Sequence, residues 1–203
     1  MKIFFLSFLV IASIRITKAQ SLDSSVNYKE GLQKMMAEDY FGAMQEFNKA
    51  LEKNRSDEHS LFYLGEVKSK LGDNKGALED YNKVIELNPK NYKAFKARGK
   101  LKAILKDYRG AIADFSRAIE NKPDYSIAFF NRGLSYFEMN EYTHAIEDFT
   151  KSIALNPKDA EAYYVRGNAK IKTGDKNGGC LDYSKAGELG YINAYEHIKS
   201  KCN

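Results

Sequence analysis

Apolar and polar residues in the stretch AIADFSRAIENKPDYSIAFFNRG, residues 111–133, follow the spacing of an amphipathic helix on both sides of Pro123. Because proline cannot continue a helical hydrogen-bond ladder, the pattern predicts a helix, a turn and a second helix. The same pattern lies 34 residues earlier, at 77–99, and 34 residues later, at 145–167. The chain is therefore predicted to consist of repeated helix pairs.

Three residue types recur with this 34-residue period through five repeats: a glycine, a small residue twelve positions later and an aromatic residue four positions after that. The glycines are Gly31, Gly65, Gly99, Gly133 and Gly167; the small residues are Ala43, Ala77, Ala111, Ala145 and Gly179; the aromatic residues are Phe47, Tyr81, Phe115, Phe149 and Tyr183. The glycine and the small residue are expected to allow the two helices of a repeat to approach closely. The aromatic residue is expected to fill the space between that pair and the next repeat.

An acidic residue precedes the second helix of every repeat, where it is expected to cap free backbone N–H groups. These residues are Asp39, Asp73, Asp107, Glu141 and Asp175. Proline ends three repeats, at Pro89, Pro123 and Pro157, whereas Arg55 and Tyr191 stand at the equivalent positions of the first and last repeats. Such departures are typical of the two ends of a repeat array.

The period and these residues resemble the tetratricopeptide repeat family, and the resemblance extends from Ser24 to about Tyr191. It implies an all-α fold: a right-handed superhelical array of five helix-turn-helix units followed by a C-terminal capping helix. The units are expected at 24–57, 58–91, 92–125, 126–159 and 160–191, with a short segment at 20–23 before them and the capping helix at 192–203.

The two cysteines, Cys180 and Cys202, both lie near the C-terminus. In the array that the resemblance implies, Cys180 belongs to the second helix of repeat five and Cys202 ends the capping helix that runs back along it. Antiparallel packing would bring both to the same level, and we expect a disulfide between them. Two unrelated thiols are the alternative.

Residues 1–19 have the layout of a secretory signal peptide: Lys2, an apolar run at 3–14 and a small residue, Ala19, at the expected cleavage site. The apolar run is too short to cross a hydrocarbon core of about 30 Å comfortably, although an uncleaved anchor is the alternative. We therefore expect a periplasmic or secreted protein without a stable membrane anchor. Removing the leader lowers the formal charge from +5 to +2, which argues against general nucleic-acid binding.

Catalytic motifs are not found. The three histidines, His59, His144 and His197, lie in different repeats without a second ligand at helical spacing, and no nucleophile elbow, phosphate-binding loop or dinucleotide fingerprint occurs. We therefore expect no enzymatic activity, no cofactor and no metal. An unusual hydrolase is the rival with no residues to support it.

The family resemblance instead implies binding of a partner protein or an extended peptide in a concave groove that the first helices line. The candidate groove residues are Tyr63, Lys93, Lys96, Lys100, Phe130, Asn131, Tyr164 and Asn168. Aromatic rings supply contact area, amides bond a peptide backbone, and lysines favour an acidic segment.

The carboxylate clamp that some family members use for chaperone tails is incomplete here. Lys96 and Asn131 match it, but Lys100, Glu161 and Val165 stand at its other positions. Several alternatives to groove binding stay open. The aromatic residues would then pack between repeats while the lysines are merely solvated, the chain would act as a self-associating structural protein rather than a monomer, or the three lysines would bind nucleic acid.

Overall fold

The computed structural model describes residues 24–202. These residues form eleven helices and no strand, so the predicted all-α helical-repeat fold is confirmed. The helices are α1 (24–36), α2 (Tyr40–Lys53), α3 (Glu58–Lys70), α4 (Asn74–Leu87), α5 (Tyr92–Ile104), α6 (Tyr108–Asn121), α7 (Ser126–Glu138), α8 (Tyr142–Leu155), α9 (Ala160–Lys172), α10 (Lys176–Glu188) and α11 (Asn193–Lys201). The predicted signal peptide at 1–19 and the segment at 20–23 lie outside the described residues. Within 24–202, no helix combines the length and the hydrophobicity that a membrane crossing requires.

The helices fall into two compact parts, which we call the N-terminal half, ending at Pro89, and the C-terminal half, beginning at Lys90. In the N-terminal half, α3 packs against both α2 and α4, and Tyr28 and Leu32 of α1 contact the core around Phe47. In the C-terminal half each helix from α5 to α11 packs against the next, and the first helices of successive repeats also touch, α5 with α7 and α7 with α9.

The recurring glycine makes room for the recurring aromatic ring. A Cβ added to Gly65 would lie 2.7 Å from the Tyr81 ring, and one added to Gly133 would lie 2.8 Å from the Phe149 ring. Both rings are buried. The close approach expected between the glycine and the small residue is seen in repeat five, where a Cβ added to Gly167 would lie 3.0 Å from the Gly179 carbonyl oxygen. The ring sixteen positions on is an additional neighbour of the glycine that the sequence-based explanation did not include.

Aspartate caps the second helices of four repeats. Asp39, Asp73, Asp107 and Asp175 each accept a hydrogen bond from the backbone N–H of a glycine three residues later, at 2.9–3.0 Å. The prediction was wrong for Glu141, which caps nothing and instead lies 3.2 Å from His144 Nδ1. A Cβ on the glycine of the capped helices would collide with the aspartate carboxylate, and His144 carries one at this position.

The predicted disulfide between Cys180 and Cys202 is present, with Cα atoms 5.7 Å apart. It joins α10 to the residue that follows α11. The capping helix also packs Ala194 against Tyr183 and Ala186 of α10. The bond therefore fastens the last described helix to the last repeat.

Candidate functional site

A buried carboxylate lies on each repeat's second helix, one residue before the aromatic ring. These residues are Glu46, Asp80, Asp114, Asp148 and Asp182, and all are at most 5% exposed. The sequence analysis considered the acidic residues that precede the second helices and missed this row. The 34-residue recurrence of an acid directly before the aromatic position was the signal that could have found it.

In the C-terminal half an arginine directly before the recurring glycine holds the buried aspartate. Arg132 of α7 donates two hydrogen bonds of 2.8 Å to the Asp148 carboxylate and a third, of 2.9 Å, to Ser116 Oγ on α6. These hydrogen bonds to Asp148 raise the pKa of Arg132. The arginine thus ties its own first helix to the second helices of two successive repeats.

We call this pair of hydrogen bonds from one arginine to one buried carboxylate a fork. The same fork recurs on both sides of Arg132. Arg98 of α5 donates to Asp114 at 2.6 and 2.9 Å, and Arg166 of α9 donates to Asp182 at 2.7 and 2.9 Å. A bidentate arginine–carboxylate pair fixes geometry as well as charge. The three forks therefore set the rotation of α5, α7 and α9 about their axes, which determines the residues that these helices expose.

On α5, three lysines lie apart from the fork. Lys93 and Lys100 are exposed, Lys96 is half-buried, and none of the three ammonium groups has an ion-pair or hydrogen-bond partner among residues 24–202. On the same helix, Lys102 binds Asp114 at 2.9 Å. Lys102 thus neutralises the buried Asp114, whereas the ammonium groups of the other three lysines are available to bind a ligand.

On α7, the candidate residues are partly engaged within the fold. Phe130 is half-buried with its ring centroid 5.9 Å from that of Phe149, and the Asn131 side-chain amide donates to the Ile127 carbonyl at 2.6 Å. Ile127 itself, one turn before Asn131, is 51% exposed. Sequence reasoning did not include Ile127, although it stands at the repeat position equivalent to Lys93.

On α9, both candidate residues contact the end of the array. Tyr164 packs its ring 4.6 Å from Tyr191 and 5.2 Å from His197 of the capping helix. Asn168 Oδ1 accepts a hydrogen bond of 2.8 Å from the Tyr183 hydroxyl. Burial, as the largest cause, raises the pKa of Tyr183 to about 12, so that hydroxyl stays a donor. The α9 candidates therefore already contact the capping helix and α10, whereas the three α5 lysines have no polar partner among residues 24–202.

The remaining candidate, Tyr63, belongs to α3 in the N-terminal half. Its ring stacks 6.0 Å from Phe47 and lies 5.9 Å from Tyr28. Burial raises the pKa of Tyr28, with the Tyr63 contact adding to it. Tyr63 is thus part of an aromatic cluster within that half and is half-buried.

The C-terminal half therefore presents one continuous set of first helices with three different surfaces, which we call the first-helix face: lysines on α5, Ile127 and Phe130 on α7, and Tyr164 with Glu161 on α9. This face offers charge and apolar area but no acid–base pair. Among residues 24–202, no group of three side chains is arranged to hold a metal ion.

Comparison with known proteins identifies the repeat. The family profile described as Tetratricopeptide repeat matches residues 59–91 and 126–159. No curated protein matches the sequence significantly.

Several solved structures share the fold. One structure of MamA is 27% identical, covering 81% of this chain and 96% of its own, with a TM-score of 0.75. YrrB, described as a TPR protein with an unusual peptide-binding site, is 20% identical over 91% of this chain and 97% of its own, with a TM-score of 0.74. PilF of Pseudomonas aeruginosa is 22% identical over 85% of this chain and 78% of its own, with a TM-score of 0.77.

Proposed function

The chain belongs to the tetratricopeptide repeat family, and from that premise we propose that it is a non-enzymatic adaptor that binds a protein or an extended peptide on the first-helix face. The observation that carries this proposal is the pairing of unpartnered lysines on α5 with the exposed Ile127 on the neighbouring α7. Exposed apolar side chains bordered by charged residues are an arrangement found at many protein–protein interaction sites.

The arginine forks support the proposal because they make the face rigid. Arg98, Arg132 and Arg166 each hold a buried aspartate with two hydrogen bonds, so the first helices are fixed before any partner arrives. A preorganised surface loses less conformational entropy on binding than a mobile one.

Export to the periplasm or the medium is part of the proposal. The signal-peptide pattern of residues 1–19 and the Cys180–Cys202 disulfide both fit an oxidising compartment, where such bonds persist. Mass spectrometry of the protein isolated from its own cells tests this directly. We expect a mature N-terminus at Gln20 and no free thiol, whereas an intact N-terminus with two free thiols would contradict export.

The binding proposal is tested by partner capture with two matched variants of repeat four. Ile127→Glu places a charge on the first-helix face, and Leu155→Glu places the same charge at the end of α8, where the leucine is 43% exposed. We expect the partner to be lost with Ile127→Glu and retained with Leu155→Glu, both proteins having wild-type helicity. Retention with Ile127→Glu would remove the first-helix face as the binding site.

Self-association is the second candidate function, because apolar side chains stay exposed near the C-terminal end. Leu181 of α10 is 72% exposed and Ile192, directly before α11, is 79% exposed. Sedimentation velocity over a hundredfold concentration range separates the two candidates. A mass that rises with concentration in the wild type and not in Leu181→Lys would favour self-association.

A further inference from the structure

The lysines of α5 form a surface with a distinct charge. The helix, Tyr92–Ile104, carries five basic residues and no acidic residue. Two of the five, Arg98 and Lys102, are used by Asp114. The other three, Lys93, Lys96 and Lys100, follow the spacing i, i+3 and i+7, which places them along one side of the helix.

The neighbouring helix does not neutralise this charge. The repeat positions of α7 that correspond to Lys93, Lys96 and Lys100 are Ile127, Phe130 and Leu134. Equivalent positions of adjacent repeats lie next to each other in a stacked array, and α5 contacts α7. A line of three positive charges is therefore bordered by an apolar line in the C-terminal half.

The geometry points to an acidic segment with apolar residues as the ligand, its carboxylates on Lys93, Lys96 and Lys100 and its apolar side chains against Ile127 and Phe130. This inference rests on the proposed function and names the chemical class of its partner. It differs from the carboxylate clamp, because no asparagine takes part and the Asn131 amide is already used by the Ile127 carbonyl.

A peptide fits these observations better than a nucleic acid does. The lysine line spans seven residues of helix, about 10 Å, which is enough for two or three side-chain carboxylates but short for a phosphate backbone. The adjoining surface is apolar, and the next helix exposes the acidic Glu161. A nucleic-acid backbone that extended beyond the lysines would contact the apolar side chains of α7 and then the Glu161 carboxylate of α9, whose negative charge repels phosphate.

The test is selection of random twelve-residue peptides displayed on phage against the full-length chain. Three proteins are compared: wild type, a Lys93→Gln, Lys96→Gln, Lys100→Gln variant, and a Lys151→Gln, Lys158→Gln, Lys176→Gln control. The control lysines are exposed, belong to the same half and lie on α8, a loop and α10. Both variants lose the same charge and should fold, since none of the six ammonium groups has a partner among residues 24–202.

We expect peptides selected on wild type to be enriched in Asp and Glu interspersed with apolar residues. Their synthetic forms should bind the α5 variant about tenfold more weakly and the control equally well, because three exposed ion pairs of modest strength are lost. Binding should also weaken between 50 and 500 mM salt, which screens exposed charges.

Three results would overturn the inference. Selected peptides without acidic residues, or with equal affinity for the α5 variant, would leave groove binding intact but remove the charge argument. A single-stranded DNA twenty-mer that competes for the same lysines at similar concentration would make them a nucleic-acid contact. Failure to select any peptide would exclude a linear acidic ligand, while the Ile127→Glu capture experiment decides separately whether the face binds a partner at all.

Discussion

In the C-terminal half an arginine holds the buried aspartate of every repeat, whereas in the N-terminal half lysines take over this role. Glu30 and Leu64 stand where Arg98, Arg132 and Arg166 stand in the later repeats. Asp80 is left with the Lys68 ammonium at 2.6 Å and the Lys83 ammonium at 3.9 Å. The same buried carboxylate position is thus neutralised by a fork in one half and by point charges in the other.

The difference shows that one short ion-pair distance does not by itself give a buried carboxylate its full set of hydrogen bonds. The Lys68 ammonium approaches only one oxygen of the buried Asp80 carboxylate, Oδ2, and the Lys83 ammonium lies 3.9 Å from the other. Burial accordingly raises the pKa of Asp80 despite both lysines. Arginine avoids this outcome, because its planar group presents two donors in the arrangement that a carboxylate accepts.

Glu46 shows that the N-terminal half can also satisfy its acid fully. Its carboxylate accepts hydrogen bonds from Lys49 at 2.9 Å, Asn27 at 2.7 Å and Lys34 at 3.3 Å. These bonds, that of Lys49 first, lower its pKa to about 2. Asp80 is therefore the weakly held member of the row.

The largest effect is expected from breaking a fork. Arg132→Met leaves Asp148 buried without its main partner and should cost about 3–5 kcal/mol of unfolding free energy. Lys68→Met should cost about 1–2 kcal/mol, since it removes a single ammonium contact rather than a two-bond fork and Lys83 still lies 3.9 Å from Asp80. Urea denaturation at pH 7 measures both. The double variant Arg132→Met with Asp148→Leu should recover most of the loss, and equal costs for Arg132→Met and Lys68→Met would contradict the comparison.

Removing the disulfide should come next. It closes a loop of 22 residues, so Cys180→Ser with Cys202→Ser should cost about 3 kcal/mol in the C-terminal half. Hydrogen exchange followed by mass spectrometry should show lost protection in α10 and α11. The N-terminal half contains no cysteine and serves as the internal control; an equal loss there would count against a local role.

Replacing the buried acids with asparagine should show a smaller difference in unfolding free energy between the two halves. Asp114→Asn removes the charged partner that Arg98 and Lys102 share and should cost about 2–3 kcal/mol. Asp80→Asn should change stability by less than about 1 kcal/mol, because burial already penalises its ionised form. Thermal melts at constant pH are sufficient. A cost for Asp80→Asn as large as that for Asp114→Asn would refute the assignment of Asp80 as weakly held.

The two acids of the N-terminal half should respond to pH with opposite signs. Glu46 has a folded pKa of about 2 against an ordinary 4.5, so its stabilisation is present above pH 4.5 and is lost as pH falls towards 2. Asp80 has a folded pKa above its ordinary 3.8, so its contribution to stability decreases as pH rises from 3.8 through that folded pKa. The unfolding free energy of each variant, Glu46→Gln and Asp80→Asn, is subtracted from that of wild type at each pH. The two differences should change with pH in opposite directions. Parallel slopes would contradict the pKa directions.

The smallest effect concerns the caps of the second helices, which are aspartates in both halves and differ only at α8. Asp107→Ala should cost about 1 kcal/mol, whereas Glu141→Ala should cost less than about 0.5 kcal/mol because Glu141 makes no capping bond. Glu141→Asp combined with His144→Gly recreates the cap and should stabilise α8. Equal costs of the two alanine variants would show that Glu141 caps the helix in solution.

The helical-repeat fold could be predicted because the contacts of a repeat array run between neighbours, so a 34-residue period carries most of the information. The glycine at position 133 and the ring at 149 are an example: both recur, and the structure brings them into contact. The capping error at Glu141 arose from considering charge alone, whereas the four second helices that form the bond each pair an aspartate with a glycine three residues later.

The candidate site was harder to predict, because its availability depends on contacts outside the repeat. Tyr164 resembles Phe130 in the sequence pattern, yet the capping helix places His197 against it. Asn168 is used by Tyr183, where a phenylalanine at the aromatic position would have left it available. Lys93, Lys96 and Lys100 were separated from Lys102 by their repeat positions, but only the location of Asp114 shows that Lys102 is engaged.

The measurement that tests the central claim most directly is site-specific photo-crosslinking in the protein's own cells. p-Benzoylphenylalanine replaces Ile127 on the first-helix face in one strain and Leu181 on α10 in another, both exposed apolar positions in the C-terminal half. We expect a partner adduct from position 127 that is absent from position 181. An adduct formed mainly from position 181, whether with another protein or with a second copy of the chain, would contradict binding on the first-helix face.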